Sequence, residues 1–452
     1  VDRGTKPSRR TVLAGASAML VAGCFDVDAT PEATGADWRM YGRGPGRTRH
    51  VPDARLSRDG VDVAWERQVS ASSWLPPVVA NGVGYCQYAN GLFVLDPATG
   101  EGPNVGTYGG FGRGGPMAFG STAAYDDGVL VVPYGDTVGG YAADPERWPD
   151  EVSGLGERRA RWWTDGDETG TRPVGGVATD VRWGATPVVS GGSVVGVNGF
   201  SNTAWAVDTD DGSVHWRYDL RDAVENVSEP LGLVVDESTG TVVVGVRDVS
   251  DPGLVAIDVR DGTSKWTDES GDGGDLGPAD RNALAAGDGR VYVVDGADSD
   301  ETVRLRELDA KTGDTSWTRS FERHRHNGVA VGGEAIYHLG TVGDRSSADE
   351  FAVAAVDRAD GEVHWEERLA DEPGFDFGVT VQPPTIAGDC LLVPGGDGLH
   401  ALDRTNGEHL WTFTELVGTA GGSETERVAS TPAVVTDDRI VLGMTIGLYG
   451  LE

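Results

Sequence analysis

The sequence predicts an all-β fold: an eight-bladed β-propeller of four-stranded antiparallel blades, closed by pairing an N-terminal with a C-terminal strand. Three observations predict it. A unit of roughly 50 residues, the length of one four-stranded blade, recurs along the chain. Short valine-rich runs are punctuated by 68 Gly and 22 Pro among 452 residues, which favours strands and turns over long helices. The last copy reaches only its third strand, and a strand of the missing type stands near the start.

The repeat is clearest in five copies. Ala206-Val207-Asp208, Ala256-Ile257-Asp258, Leu308-Asp309, Ala355-Val356-Asp357 and Ala401-Leu402-Asp403 each end an apolar run. Each Asp is followed eight residues later by Trp: Trp216, Trp266, Trp317, Trp365 and Trp411. Between them lies Asp-Gly, Thr-Gly or Asn-Gly, the chemistry of a tight hairpin that needs positive φ. The Trp falls on the returning strand, where it can pack between neighbouring sheets. A second hairpin precedes each unit, as in Thr186-Pro187-Val188-Val189, Ser190-Gly191-Gly192 and Ser193-Val194-Val195-Gly196-Val197. Two hairpins make one blade.

Earlier copies are degraded. Leu92-Phe93-Val94-Leu95-Asp96 and Thr99-Gly100 fit, but Asn104 stands where Trp is expected. Tyr141-Ala142-Ala143-Asp144 begins a copy interrupted by an insertion from Pro145 to Arg161, resumed at Trp162 or Trp163. Gly447-Leu448-Tyr449-Gly450-Leu451-Glu452 aligns with Gly398-Leu399-His400-Ala401-Leu402-Asp403. The segment Val61-Asp62-Val63-Ala64-Trp65-Glu66 supplies the missing Trp-bearing strand, so the two ends share one blade and no sheet edge is left open. Asp96, Asp144, Asp208, Asp258, Asp309, Asp357, Asp403 and Glu452 mark eight blades.

This pattern resembles the PQQ-like (quinoprotein) propeller repeat over residues 38–452. That family includes alcohol and sugar dehydrogenases, which hold PQQ and a calcium ion over the channel, and a non-catalytic lipoprotein of bacterial outer-membrane barrel assembly. Several of the alcohol dehydrogenases carry two adjacent half-cystines under the cofactor. The cysteines here are Cys24, Cys86 and Cys390, with no adjacent pair. Cys86 and Cys390 fall in blades one and seven and are expected to be buried thiols.

The N-terminal residues carry Lys6, Ser8, Arg9 and Arg10, then an uncharged run from Thr11 to Gly23 that is too short for an ordinary membrane span. Ser8-Arg9-Arg10-Thr11-Val12-Leu13 resembles a twin-arginine export signal, and Val21-Ala22-Gly23-Cys24 resembles a lipobox. The expectation is a signal over 1–23, a lipidated Cys24 with a flexible tether over 24–37, and the propeller over 38–452. The product would sit on the outer face of the cytoplasmic membrane.

The net charge is −35, and Lys6, Lys265 and Lys311 are the only lysines. A surface so acidic argues against nucleic acid as a partner. It resembles that of salt-in halophilic archaeal proteins, where concentrated salt screens self-repulsion.

In a propeller, the residues just before each blade's first strand face the central channel. Those positions hold Trp74, Arg113, Trp183, Glu229, Arg281, Asn282, His326, Asn327, Gln382 and Ser430. Two indole faces and two guanidiniums suit a planar anionic ligand. The same residues can equally plug the channel by bonding one another. His324 and His326 share a strand face without a further ligand signal, and Asp272, Asp275 and Asp280 read as an ordinary acidic loop. His215 and His364, beside repeat tryptophans, read as surface strand residues.

The reading is therefore a monomeric, membrane-anchored extracellular propeller that binds or scaffolds a protein partner or small ligand without catalysis and without a cofactor. The alternative is a PQQ- and calcium-dependent dehydrogenase, or a small-ligand-binding protein, using the channel mouth.

Overall fold

The computed structural model describes residues 37–452 except 69–74, 89–90, 107–114, 135–136, 145–146, 148–159, 165–185, 199–200, 225–226, 249–252, 269–282, 296–301, 324, 343–349, 371–381, 396–397, 415, 421–422, 427–428, 430 and 445–446. The described strands form eight antiparallel blades. Blades one to seven occupy residues 78–106, 118–163, 188–219, 227–268, 284–322, 325–370 and 385–413. Blade eight joins Val434–Thr436, Arg439–Met444 and Gly447–Leu451 to the N-terminal strand Val63–Gln68. The ring thus closes as the sequence predicts, with Trp65 opposite Gly450. First strands of neighbouring blades pack against one another around the axis. A two-stranded ribbon, Leu416–Ala420 with Ser423–Glu426, lies between blades seven and eight.

One interaction repeats from blade to blade. Trp65, Trp162, Trp216, Trp266, Trp317 and Trp365 each lay the ring on the turn glycine of the next blade and donate the indole N–H to a backbone carbonyl there. Trp216 donates to Val259 at 2.8 Å, Trp266 to Ala310 at 3.0 Å, Trp317 to Arg358 at 3.1 Å and Trp365 to Arg404 at 3.2 Å. Trp65 donates to Pro97, so the closing strand uses the same joint. Trp411 donates to Ser57, in the segment that leads into that strand. Of the two candidates in blade two, Trp162 makes the bond, to Thr209 at 2.8 Å.

The repeat Asp serves the turn. Asp208 Oδ1 accepts the amides of Asp210 and Asp211, and the Gly212 amide bonds the Asp208 carbonyl at 3.0 Å. Asp258, Asp309, Asp357 and Asp403 accept amide bonds in the same way. The glycine is required twice over. Gly262 has φ +74°, and a Cβ there would lie 2.8 Å from the Trp216 ring.

Blade one, with Asn104 at the Trp position, uses another device. The hydroxyl of the buried Tyr85, on the second strand, donates to the Ala143 carbonyl across the joint to blade two. Cys86 and Cys390 are buried free thiols in blades one and seven, as expected. His215 and His364 lie on outer strands and contact Asp208 and Asp357 at 3.3 and 3.1 Å.

The joint predicts two stability effects, read by chemical denaturation. Trp216→Ala removes a buried indole and should cost about 3–5 kcal/mol. Gly262→Ala should cost more than the ~1 kcal/mol of an ordinary positive-φ substitution, because the new methyl meets the Trp216 ring.

Candidate functional site: the central channel

Residues 38–51 run as a belt around one end of the channel, where the first strands of the blades finish. Trp38 exchanges both backbone bonds with Val79 of blade one, at 2.7 and 2.9 Å. The Arg39 carbonyl accepts from Phe119 of blade two. The carbonyls of Pro45, Gly46, Thr48 and Arg49 accept from Val235, Ala286, Val331 and Ile386, in blades four to seven. His50 and Val51 then pair in parallel with Ile386 and Ala387. Blade three is reached by a side chain: Arg47 Nη2 donates to the Thr186 carbonyl at 3.1 Å. The close approach selects glycine, since a Cβ on Gly46 would stand 1.9 Å from the Ala286 oxygen. No hydrophobic period marks this belt in the sequence.

The belt fills its end of the channel. Trp38, Tyr41, Arg47 and Arg49 are all buried, Arg47 at 1% exposure and Arg49 at 0%. Both guanidiniums lie against the Tyr41 ring, 5.3 Å and 5.0 Å from its centre. Burial, reinforced by Arg49, overcomes the attraction of Tyr41 and lowers the Arg47 pKa to about 10. Arg49 Nη1 donates to the carbonyls of Arg47 (3.1 Å) and Val329 (2.9 Å), the latter on the first strand of blade six. Both arginines hold positive φ, +54° and +53°. That conformation costs about 1–2 kcal/mol for a residue with a side chain, and the backbone bonds of the belt hold it in place.

Of the ten predicted mouth residues, Trp74, Arg113, Trp183, Arg281, Asn282 and Ser430 lie outside the described residues, as do Arg9, Arg10, Cys24, His324, Asp272, Asp275 and Asp280. Glu229 and Asn327 lie on the first strands of blades four and six. Gln382 is buried just before the first strand of blade seven. His326 is buried on the first strand of blade six, its ring parallel to His338 at 5.3 Å. His338 in turn lies 4.8 Å from Phe321, which Arg323 covers. His338 is fully buried, and burial, then His326 and Arg323, hold its pKa well below the ordinary value. Its role was not read from the sequence, where a lone His in a valine-rich strand gives no signal.

The insertion after blade two's third strand is tied down at its far end. Arg161 donates to Asp127 at 2.6 and 2.9 Å and covers the Tyr125 ring at 3.8 Å. Blades four and five are joined by Arg306, which bonds the buried Asp295 and reaches Asp268 at 2.7 Å. Among the described residues no three His, Cys, Asp or Glu side chains converge as a metal site, and no helix is long and apolar enough to cross a membrane.

The belt makes the fold sensitive to acid. His50 has its pKa lowered to about 4, by burial first and then by Arg404, Arg43 and Arg358. The unfolded chain protonates His near pH 6.5 while the native state resists until about 4, so stability is lost as pH falls through that window. Each such His forfeits at most about 1.4 kcal/mol per pH unit there. Unfolding of the native chain should therefore ease between pH 6.5 and 4, and His50→Gln should flatten the slope measured by urea titration.

A family model described as outer membrane protein assembly factor BamB matches residues 149–300 and 299–451, most of the chain. No curated protein sequence matches it. Among solved structures, the quinohemoprotein alcohol dehydrogenase of Comamonas testosteroni is similar at 13% identity and TM-score 0.64, covering 93% of this chain and 81% of that one. The quinohemoprotein alcohol dehydrogenase ADHIIG of Pseudomonas putida HK5 is similar at 12% identity and TM-score 0.61, covering 92% and 80%. BamB of Moraxella catarrhalis is similar at 17% identity and TM-score 0.53, covering 87% and 99%. At these identities the structural likeness shows the fold.

Proposed function

We propose that this chain, which belongs to the family of the outer membrane protein assembly factor BamB, is an exported, lipid-anchored propeller that binds or scaffolds a partner without catalysis. The observation that carries this reading is the belt. The chain spends its own N-terminal segment closing one end of the channel and bonding the blades into one ring. A rigid ring with one face so occupied presents the opposite face, and its loops, to a partner.

The proposed anchor agrees with that geometry. Arg9 and Arg10 direct export, and Cys24 carries the lipid. Asp37, just before the belt, lies 13 positions after Cys24, a reach of at most about 45 Å. The belt face then lies toward the membrane and the channel-mouth loops point away from it. The acidic surface suits a medium of concentrated salt. A protein or small extracellular ligand would meet the far face, at the mouth where Trp74, Arg113, Trp183 and Arg281 were located by sequence.

Cys24→Ser should shift the protein from the membrane fraction to the soluble fraction, measured by fractionating expressing cells. Retention of the variant in the membrane fraction would remove the anchor. The non-catalytic role is tested by titrating the purified protein with PQQ and calcium in molar KCl, followed by thermal unfolding and dye-linked alcohol oxidation. Unchanged Tm and no dye reduction are expected. A PQQ-dependent rise in Tm with turnover would replace the scaffold by a dehydrogenase.

A further inference from the structure

Arg49 is placed where an unneutralised charge is hard to keep. Its side chain is 0% exposed, and among the described residues no carboxylate forms an ion pair with it. One of its two terminal nitrogens, Nη1, is used on the carbonyls of Arg47 and Val329. The other edge of the guanidinium, Nε and Nη2, is buried without a hydrogen-bond partner. That edge carries parallel N–H groups, the fork with which arginine grips an anion bidentately. Arg47 adds a second buried cation on the other contact with Tyr41.

Physical chemistry calls for a counter-ion here. A buried charge is tolerated when it is paired and hydrogen-bonded, and a bare one costs several kcal/mol. Tyr41 supplies an aromatic face to both guanidiniums, but a ring face does not occupy the outward N–H edge of Arg49. The belt closes this end of the channel with backbone bonds to the surrounding first strands, and those bonds fix Arg49 in place with its Nε and Nη2 edge unused.

We propose that Arg49, with Arg47 beside it across Tyr41, binds a small inorganic anion, chloride in the simplest case, on the channel side of the belt. The anion completes the Nε and Nη2 donors and offsets the like charges of the two arginines. The fold thereby takes part of its stability from the anion itself, in addition to the screening of surface charge by salt. Such linkage raises stability with free anion concentration.

The test uses the whole protein crystallised with potassium bromide in place of chloride, with anomalous scattering recorded at the bromine edge. The expected result is a bromide peak within hydrogen-bond reach of Arg49 Nε and Nη2, absent in Arg49→Met. In solution, Tm should be lower in potassium gluconate than in potassium chloride at equal potassium concentration. Arg49→Met should narrow that difference; if it does not fold, Arg49→Lys keeps the charge and removes the fork. A guanidinium edge bonded only to protein or water oxygens, with the same Tm in both salts, would overturn the proposal.

Discussion

The structure depends on the backbone hydrogen bonds that residues 38–51 make to the first strands of the blades. A propeller's inner strands each present one unpaired edge to the axis, and amides buried there need acceptors. The belt supplies carbonyls to amides in blades one, two, four, five, six and seven, and a guanidinium to a carbonyl in blade three. The same segment continues as the outer strand of blade eight. In a simple repeat array each unit touches only its neighbours. Here one stretch of chain touches every blade, so blades far apart in sequence are coupled through it. Its glycines allow the close approach, and its arginines turn inward from left-handed backbone.

Electrostatics divide along the same geometry. The chain carries a net charge of −35, yet several of its arginines are buried at the axis and at the blade joints. Arg47 and Arg49 occupy the channel, Arg306 bridges blades four and five, and Arg161 ties the insertion to Asp127. Arginine suits these places because its planar fork satisfies several acceptors at once and stacks on Tyr41 and Tyr125. The turn aspartates belong to the same economy of charge. Burial raises the carboxyl of Asp403, but bonds from Thr405 and the pair with Arg58 outweigh it and bring its pKa to about 2.

The ring was legible in the sequence because its joints repeat. Asp and Trp eight apart are fixed by one hairpin, and Gly between them is fixed by the indole lying on it. The closing strand was legible because Trp65 bears the same signature. Tyr85 as the substitute joint of blade one was not, since a second-strand Tyr looks like any core aromatic. The belt was illegible for a different reason. Its bonds use backbone carbonyls and glycine contacts, so it has no hydrophobic period, and Arg47 and Arg49 read as an ordinary polar loop. Their signal, two arginines two apart following a Gly-rich turn, becomes meaningful only when burial is known. His326 is buried on the first strand of blade six and Gln382 just before that of blade seven, and the ring parallel to His326, that of His338, comes from the second strand, where a lone His among apolar residues carries no signal.

Native-state hydrogen exchange of the amides that donate to the belt tests its role most directly. Val79, Phe119, Val235, Ala286, Val331 and Ile386 lie in six different blades and share only this acceptor segment. If the belt couples the ring, these amides exchange as one group, as slowly as the interior strands, and lose protection together as denaturant is added. If they exchange early and independently while the blades stay protected, the belt is an ornament on a ring held by its tryptophans alone.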